Sequence, residues 1–175
     1  MKALPEDPNV LLEMVEVSPA FTTTHDEFSR VYRFVQTPDS IECQLFGAFP
    51  DVYEGITLNV FQHDENVVAL GVSVQGWATP TDPTESNVPI SERPDRKRVA
   101  LVLVVDHQNR HASRLFFIDE GHSLGEEDGG ASSGQLLDGL RTALHLVRLD
   151  ESTAHDFVSS TLRDILDLNG DDSPF

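Results

Sequence analysis

The sequence predicts an α+β fold, with a mostly antiparallel sheet of about six strands and two C-terminal helices packed on one face. Strand-like segments occur as neighbouring pairs joined by short polar turns, which favours three hairpins. Strands and helices do not alternate along the chain, and no Gly-rich nucleotide-binding motif is present. These observations disfavour the crossover folds that bind nucleotides.

The first third of the sequence predicts one hairpin after an ambiguous segment. Residues 10–17 fit helix and strand about equally, and we expect a helix. Residues 30–37 are rich in β-branched and aromatic side chains, and residues 41–46 alternate apolar and polar side chains. The turn-forming residues 38–40 separate these two strands, so they form the first predicted hairpin.

A second hairpin is predicted from two further alternating segments. Ile56, Leu58 and Val60 share one face of a strand, and the return strand covers residues 68–74. Polar residues 63–66 supply the turn. Residues 78–95 contain four prolines among polar side chains, which is typical of a surface loop.

The third hairpin contains the most apolar strand of the chain. Residues 98–106 are almost continuously apolar, which favours a central strand covered on both faces. Residues 112–119 are its predicted partner across a polar turn. The acidic, Gly-rich residues 120–134 predict a flexible loop.

Two helices are predicted at the C-terminal end of the sequence. Leu137, Leu140 and Leu144 fall at helical spacing in the first, where we expect a close approach to the sheet to offset the cost of Gly139. The second starts at Ser152 or Thr153 and ends at residues 169–170. We therefore expect a single domain over residues 1–170 and a frayed tail over residues 171–175.

The charge balance limits the classes of partner. The 175 residues include 30 acidic and 12 basic side chains, which gives a formal net charge of −18. Such a chain repels nucleic-acid phosphates and anionic membranes, whereas basic proteins and divalent cations remain open as partners. A single cysteine, the absence of a signal-peptide pattern and the lack of a long apolar segment predict a cytoplasmic protein.

The densest group of titratable side chains lies between residues 106 and 122. His107, His111, Asp119 and His122 offer nitrogen and oxygen ligands that suit a divalent metal. The competing interpretation is a solvated polar turn followed by a polar loop.

A basic cluster interrupts the acidic sequence. Arg93, Arg96, Lys97 and Arg98 fall within six positions and are candidates to bind an anion or an acidic segment of a partner. The competing interpretation pairs them with neighbouring acidic side chains. Cys43 alternates with apolar residues and is expected to be a buried core cysteine. We expect no catalytic residues and no cofactor.

Several segments occur in an order that matches a known group of proteins. They are VVALGVSVQGW, the Pro-rich loop, PDRKRVALVLVV, a strand with Arg114 and Leu115, and SGQLLDGLRTALHL. Over residues 67–147 the chain resembles an uncharacterised family of small actinobacterial cytosolic proteins. The resemblance implies a bacterial cytosolic setting and transfers no activity and no functional residues.

Good core patterning without a catalytic constellation favours an acidic protein-interaction or regulatory module, of which a chaperone-like protein is one form. A sheet face or edge would receive a protein partner, and a homodimer through exposed sheet is a further expectation. The alternative is a divalent-metal-binding domain or metal-dependent enzyme that uses the 106–122 cluster. A third interpretation is an acidic mimic of nucleic acid.

Overall fold

In the computed structural model, the described residues are 3–21, 27–79, 87–119, 122–125 and 134–149, together with positions 153 and 156. They form three helices: α1 (Asn9–Glu16), α2 (Val52–Val60) and α3 (Gln135–Arg148). The strands are β1 (Ser29–Gln36), β2 (Ile41–Phe49), β3 (Val67–Ala78), β4 (Lys97–Asp106), β5 (His111–Phe117) and β6 (His122–Gly125). A short 3-10 turn covers Ile90–Glu92.

The described strands form one antiparallel sheet in the order β2-β1-β3-β4-β5-β6. This confirms the α+β class and the antiparallel sheet. The first and third predicted hairpins are present as β1–β2 and β4–β5. The apolar strand β4 lies in the middle of the sheet, and both of its faces are covered. Its continuous apolar composition predicts this position.

Helices cover both faces of the sheet. On one face, α2 and α3 pack over Val31, Leu70 and Leu103. On the other face, α1 packs its buried residues Leu11, Leu12 and Val15 against the sheet. The expected helix over residues 10–17 and the first C-terminal helix are thus confirmed, although α1 adds a layer that the two-layer expectation lacked. Of the second C-terminal helix, only Thr153 and Asp156 lie within the described residues, and both are helical.

The predicted second hairpin is wrong, because the residues assigned to its first strand form α2. Asp51 caps this helix, and its side-chain oxygen accepts a hydrogen bond from the Tyr53 N–H at 2.9 Å. The buried positions of α2 are Val52, Gly55, Ile56 and Asn59. This spacing of three and four residues is helical, and it prevails over the short alternation that ends in Leu58 and Val60.

Two loop predictions also change. Residues 122–125, inside the expected flexible loop, form β6 and pair with β5. Residues 120–121 and 126–133 of that predicted loop lie outside the described part. The Pro-rich segment contains the end of β3 and the 3-10 turn, and its residues 80–86 lie outside the described part. The close approach expected at Gly139 is absent, since a Cβ atom there would meet nothing within 4 Å among the described residues.

Candidate functional site

The predicted metal ligands lie at two separate ends of β5. His111 pairs with Val105 beside the β4–β5 turn that carries His107, whereas His122 pairs with Phe117 at the far end, next to Asp119. His111 and Phe117 are six residues apart, which corresponds to about 20 Å along a strand. Among the described residues, no group of three or more His, Cys, Asp or Glu side chains could hold a metal ion. The structure therefore does not assemble the four residues into one site, and metal binding stays a prediction.

The basic cluster engages its own neighbours. The guanidinium groups of Arg96 and Arg98 lie 4.5 and 5.2 Å from the centre of the Trp77 ring, which is the range of cation–π contacts. Arg93 is almost buried and lies 3.3 Å from the Asp95 carboxylate. Lys97 lies over the Phe117 ring. The Arg93–Asp95 contact matches the expected pairing with acidic neighbours, whereas these contacts of Arg96, Lys97 and Arg98 are with aromatic rings. The binding role of the cluster stays a prediction.

A different site emerges at the edge of the sheet formed by β2. Val31 pairs with Gly47 and the next residue, Tyr32, pairs with Leu45, so β2 contains one extra residue, Phe46. Such a bulge changes the regular alternation of side chains between the two faces of a strand. Consistent with this, the adjacent residues Leu45 and Phe46 line the same cavity.

That cavity is a groove of about 580 Å³ between β2 and the C-terminal half of α2. It is lined by Arg33, Gln44, Leu45, Phe46, Phe49, Leu58, Phe61 and Gln62. We call it the edge groove. Three of its apolar side chains are strongly exposed: Leu45 and Leu58 at 45% each, and Phe61 at 71%. Clustered exposed apolar side chains mark binding sites more often than singly scattered ones do.

Arg33 holds one wall of the edge groove in place. Its Nε donates to the Asn59 side-chain oxygen at 2.9 Å, and its Nη2 donates to the carbonyls of Asn59 and Gln62 at 2.8 and 2.7 Å. These bonds satisfy carbonyl groups at the end of α2, which have no partner within the helix. The same guanidinium lies 4.9 Å from the centre of the Phe46 ring. Partial burial lowers the pKa of Arg33.

Phe49 sets the distance between β2 and α2. Its ring stacks near that of Phe46, with centroids 6.1 Å apart, and covers Gly47 and Gly55. A Cβ atom at Gly55 would lie 2.4 Å from the Phe49 ring and 2.8 Å from Val31. The absence of a side chain at Gly55 therefore allows the helix to approach the strand closely. The position of Phe49, which lines the edge groove, depends on this approach.

Cys43 is also on β2, but it packs against the core on the α1 face of the sheet. Burial raises the pKa of its thiol to about 11. Cys43 is half-buried, so the expected buried core position is only partly reached. A thiol with this pKa forms little thiolate near neutral pH.

The sequence interpretation missed most of the edge groove because it treated residues 56–60 as a strand. Two signals for α2 were available: Asp51 before the first helical residue, and apolar or small residues at positions 52, 55 and 56. The bulge at Phe46 leaves no comparable pattern in the sequence.

Compared with known proteins, the chain matches no family model, no curated protein and no solved structure. The resemblance over residues 67–147 thus stays a prediction. None of the helices within the described residues has the length and apolar character required to cross a membrane.

Proposed function

We propose that the protein is an interaction module that binds an extended segment of a basic protein partner in the edge groove. The segment would add a strand beside β2 and place alternate apolar side chains against the groove. The exposure of Leu45, Leu58 and Phe61 along a sheet edge is the observation that carries this proposal. A cytoplasmic location belongs to the same proposal.

The composition of β2 supports strand addition. Edge strands that avoid pairing with other chains usually carry lysines, prolines, inward-pointing charges or bulges. The bulge of β2 lies at Phe46, and residues 41–45 pair with β1 in regular register. The nine residues of β2 include neither Lys nor Pro, and Glu42 is their single charged residue. Within the described residues, β2 pairs with β1 on one side and with no strand on the other.

Rigidity of the groove also supports binding, because a preformed site loses less conformational entropy when a ligand occupies it. Arg33 and Phe49 connect β1 and β2 to α2 through the contacts described above. The exposed Leu58 and Phe61 are therefore carried by an anchored helix end.

Charge favours a basic partner over a second copy of this chain. The exposed carboxylate of Glu42 lies on β2, that of Asp51 at the N-cap of α2, and that of Glu54 in the first turn of α2. A second copy would bring another net charge of −18 to the same place, whereas a segment with Lys or Arg side chains would be attracted. The partner class is therefore an extended peptide with apolar residues at alternate positions and basic residues between them.

A peptide-display selection against the purified full chain tests this proposal. The library would present random peptides of about twelve residues, a length that spans an edge strand. We expect enrichment of basic peptides with alternating apolar residues. Their synthetic versions should bind the unaltered chain and bind the Leu45→Asp and Phe61→Asp variants about tenfold more weakly or worse.

The matched control is Val17→Asp, which changes an even more exposed apolar residue, 81% exposed, at the end of α1. Because α1 covers the opposite face of the sheet, this variant should retain peptide binding. Selection of no peptide family, or equal binding to all three variants, would contradict the proposal. Loss of a dimer in Leu45→Asp would instead identify a second copy as the occupant.

A further inference from the structure

A second cavity, of about 300 Å³, lies between α3 and the turn that joins β4 to β5. It shares no lining residue with the edge groove. We infer that this cavity, the α3 cleft, binds a small organic anion whose acidic groups are held by Arg141 and Arg148. The inference is independent of the proposed peptide binding.

The two arginines belong to one face of α3. Arg141, Leu144, His145 and Arg148 all line the cleft, and their spacing of three, four and seven residues places them on one helical stripe. Two helical turns separate Arg141 from Arg148, which is about 10 Å along the axis. The cleft therefore carries two cationic groups on a chain whose net charge is −18.

The guanidinium groups of Arg141 and Arg148 both contact neighbouring parts of the chain. Arg148 donates from Nη1 to the Val67 carbonyl at 2.6 Å. The Nη2 of Arg141 lies 3.4 Å from His111 Nδ1, and its Nη1 lies 3.7 Å from the Asp138 carboxylate. The Nε–H of Arg141 is buried and finds no hydrogen-bond partner among the described residues. A buried charged donor without an acceptor is costly, so Arg141 favours an arrangement in which an oxyanion accepts from this N–H.

The acidic groups near the cleft do not cancel its positive charge. Asp106 lines the cavity, but its carboxylate accepts hydrogen bonds from Arg110 Nε at 2.7 Å and from the backbone N–H groups of Gln108 and Arg110. Arg110 therefore compensates the charge of Asp106. Asp138 is 76% exposed, so water screens its interaction with Arg141.

The positive charges of Arg141 and Arg148 also disfavour a divalent cation in the cleft. His107 lines the cleft, and its pKa is lowered first by burial and then by the positive charge of Arg148. The positive charge of Arg148, which contributes to this lowering, also repels a metal ion beside His107. The lining residues Val105 and Leu144 are apolar, and the cavity is larger than an inorganic oxyanion requires. An anion with an apolar body fits this combination, with a carboxylate or a phosphate as the charged group.

Titration of the uniformly ¹⁵N-labelled full chain tests the inference through the Nε–H signals of its arginines. The probes are sodium chloride, inorganic phosphate, succinate and phenyl phosphate at constant ionic strength. We expect a saturable shift of the Arg141 signal with an organic anion, at an affinity about tenfold higher than for inorganic phosphate. Comparing succinate with phenyl phosphate then distinguishes a carboxylate from a phosphate ligand.

Three variants complete the test. Arg141→Gln should weaken binding about tenfold or more, because it removes one charged donor. His145→Glu should do the same without loss of packing, since His145 is exposed and the change adds a negative charge to the cleft. Arg30→Gln, on β1, removes an equal charge elsewhere and should leave binding unchanged. Shifts that follow chloride alone, or equal affinities in all three variants, would overturn the inference.

Discussion

The Arg33 guanidinium joins β1 to α2 by donating to both the side-chain oxygen and the backbone carbonyl of Asn59, at 2.9 and 2.8 Å. Asn59 is fully buried. The arginine thus donates to the buried side-chain oxygen of Asn59, and it adds a second donor to a carbonyl that also accepts from the Gln62 N–H at 3.1 Å. This relationship fixes the end of α2 that carries Leu58 and Phe61.

Replacement of Arg33 by methionine tests the importance of this connection. The change keeps an unbranched apolar stem but leaves the buried side-chain oxygen of Asn59 without this donor, so we expect a loss of about 1–3 kcal/mol in unfolding free energy. Urea denaturation measures it. Arg30→Met, on the same strand, is the control, because the Arg30 guanidinium donates to the Phe28 carbonyl. Equal midpoints for the two variants would show that Arg33 does not anchor the helix.

Two helical glycines should respond to alanine with opposite signs. At Gly55 the new Cβ would collide with Phe49 and Val31, and overpacking of this kind costs about 1–3 kcal/mol. At Gly139 the space is open, so alanine should gain about 0.5–1 kcal/mol through helix propensity. Thermal and urea unfolding of both variants measure the difference. Stabilisation by Gly55→Ala would contradict the close approach of β2 and α2.

The Cys43 thiol should react slowly with alkylating reagents. At about pH 8, a pKa of about 11 lowers the thiolate fraction roughly 200-fold relative to a free cysteine. The higher nucleophilicity of a more basic thiolate offsets about tenfold of that, so we expect a rate about twentyfold lower. Iodoacetamide labelling followed by mass spectrometry measures this rate.

An Ala48→Cys substitution in a Cys43→Ser background is the control for that measurement. Position 48 is exposed on the same strand, so its thiol should react at an ordinary rate. Urea should bring Cys43 to that rate as well. Fast labelling of Cys43 in the folded chain would mean that its side chain is not buried in the α1-face core.

The lowered pKa of His107 predicts a defined pH dependence of stability. Between its folded pKa and the unfolded value near 6.5, the unfolded chain binds more protons, so this residue makes stability rise with pH in that window. Above 6.5 the contribution is complete, and it is lost as pH falls toward the folded pKa. The charges around His107 are Arg148, Asp106 and Arg110, with Arg141 and His145 in the same cleft.

Urea midpoints between about pH 5 and pH 7, the range in which histidine titrates, measure this dependence. His107→Gln should flatten the slope relative to the unaltered chain. The exposed His63 supplies the matched control, His63→Gln, which should leave the slope in place. A steeper slope in His107→Gln would contradict the assigned direction of the pKa shift.

Local signals predicted the sheet better than they predicted the site. Strand β4 was identifiable because continuous apolar character distinguishes a central strand. Residues 41–46 alternated clearly enough to place β2 beside β1. The prediction for the residues of α2 was wrong because their three alternating apolar residues were given more weight than Asp51 and the helical spacing of the buried positions.

The candidate sites depend on tertiary features that a linear pattern does not encode. The edge groove needs the bulge at Phe46 and the contact of Arg33 with the end of α2, which is 26 residues away. His107 lies in the turn between β4 and β5, and His111 is the first residue of β5. Their chemical setting was not predictable, because Arg141 and Arg148 reach the same cleft from a helix about 30 residues later.

Hydrogen–deuterium exchange of the full chain, with and without a selected basic peptide, tests strand addition at the edge groove most directly. The account predicts slower exchange of backbone amides in β2 and around Phe61 when the peptide is bound, and no slowing in Leu45→Asp. Unchanged exchange in β2, or protection confined to β6 at the opposite edge of the sheet, would contradict it.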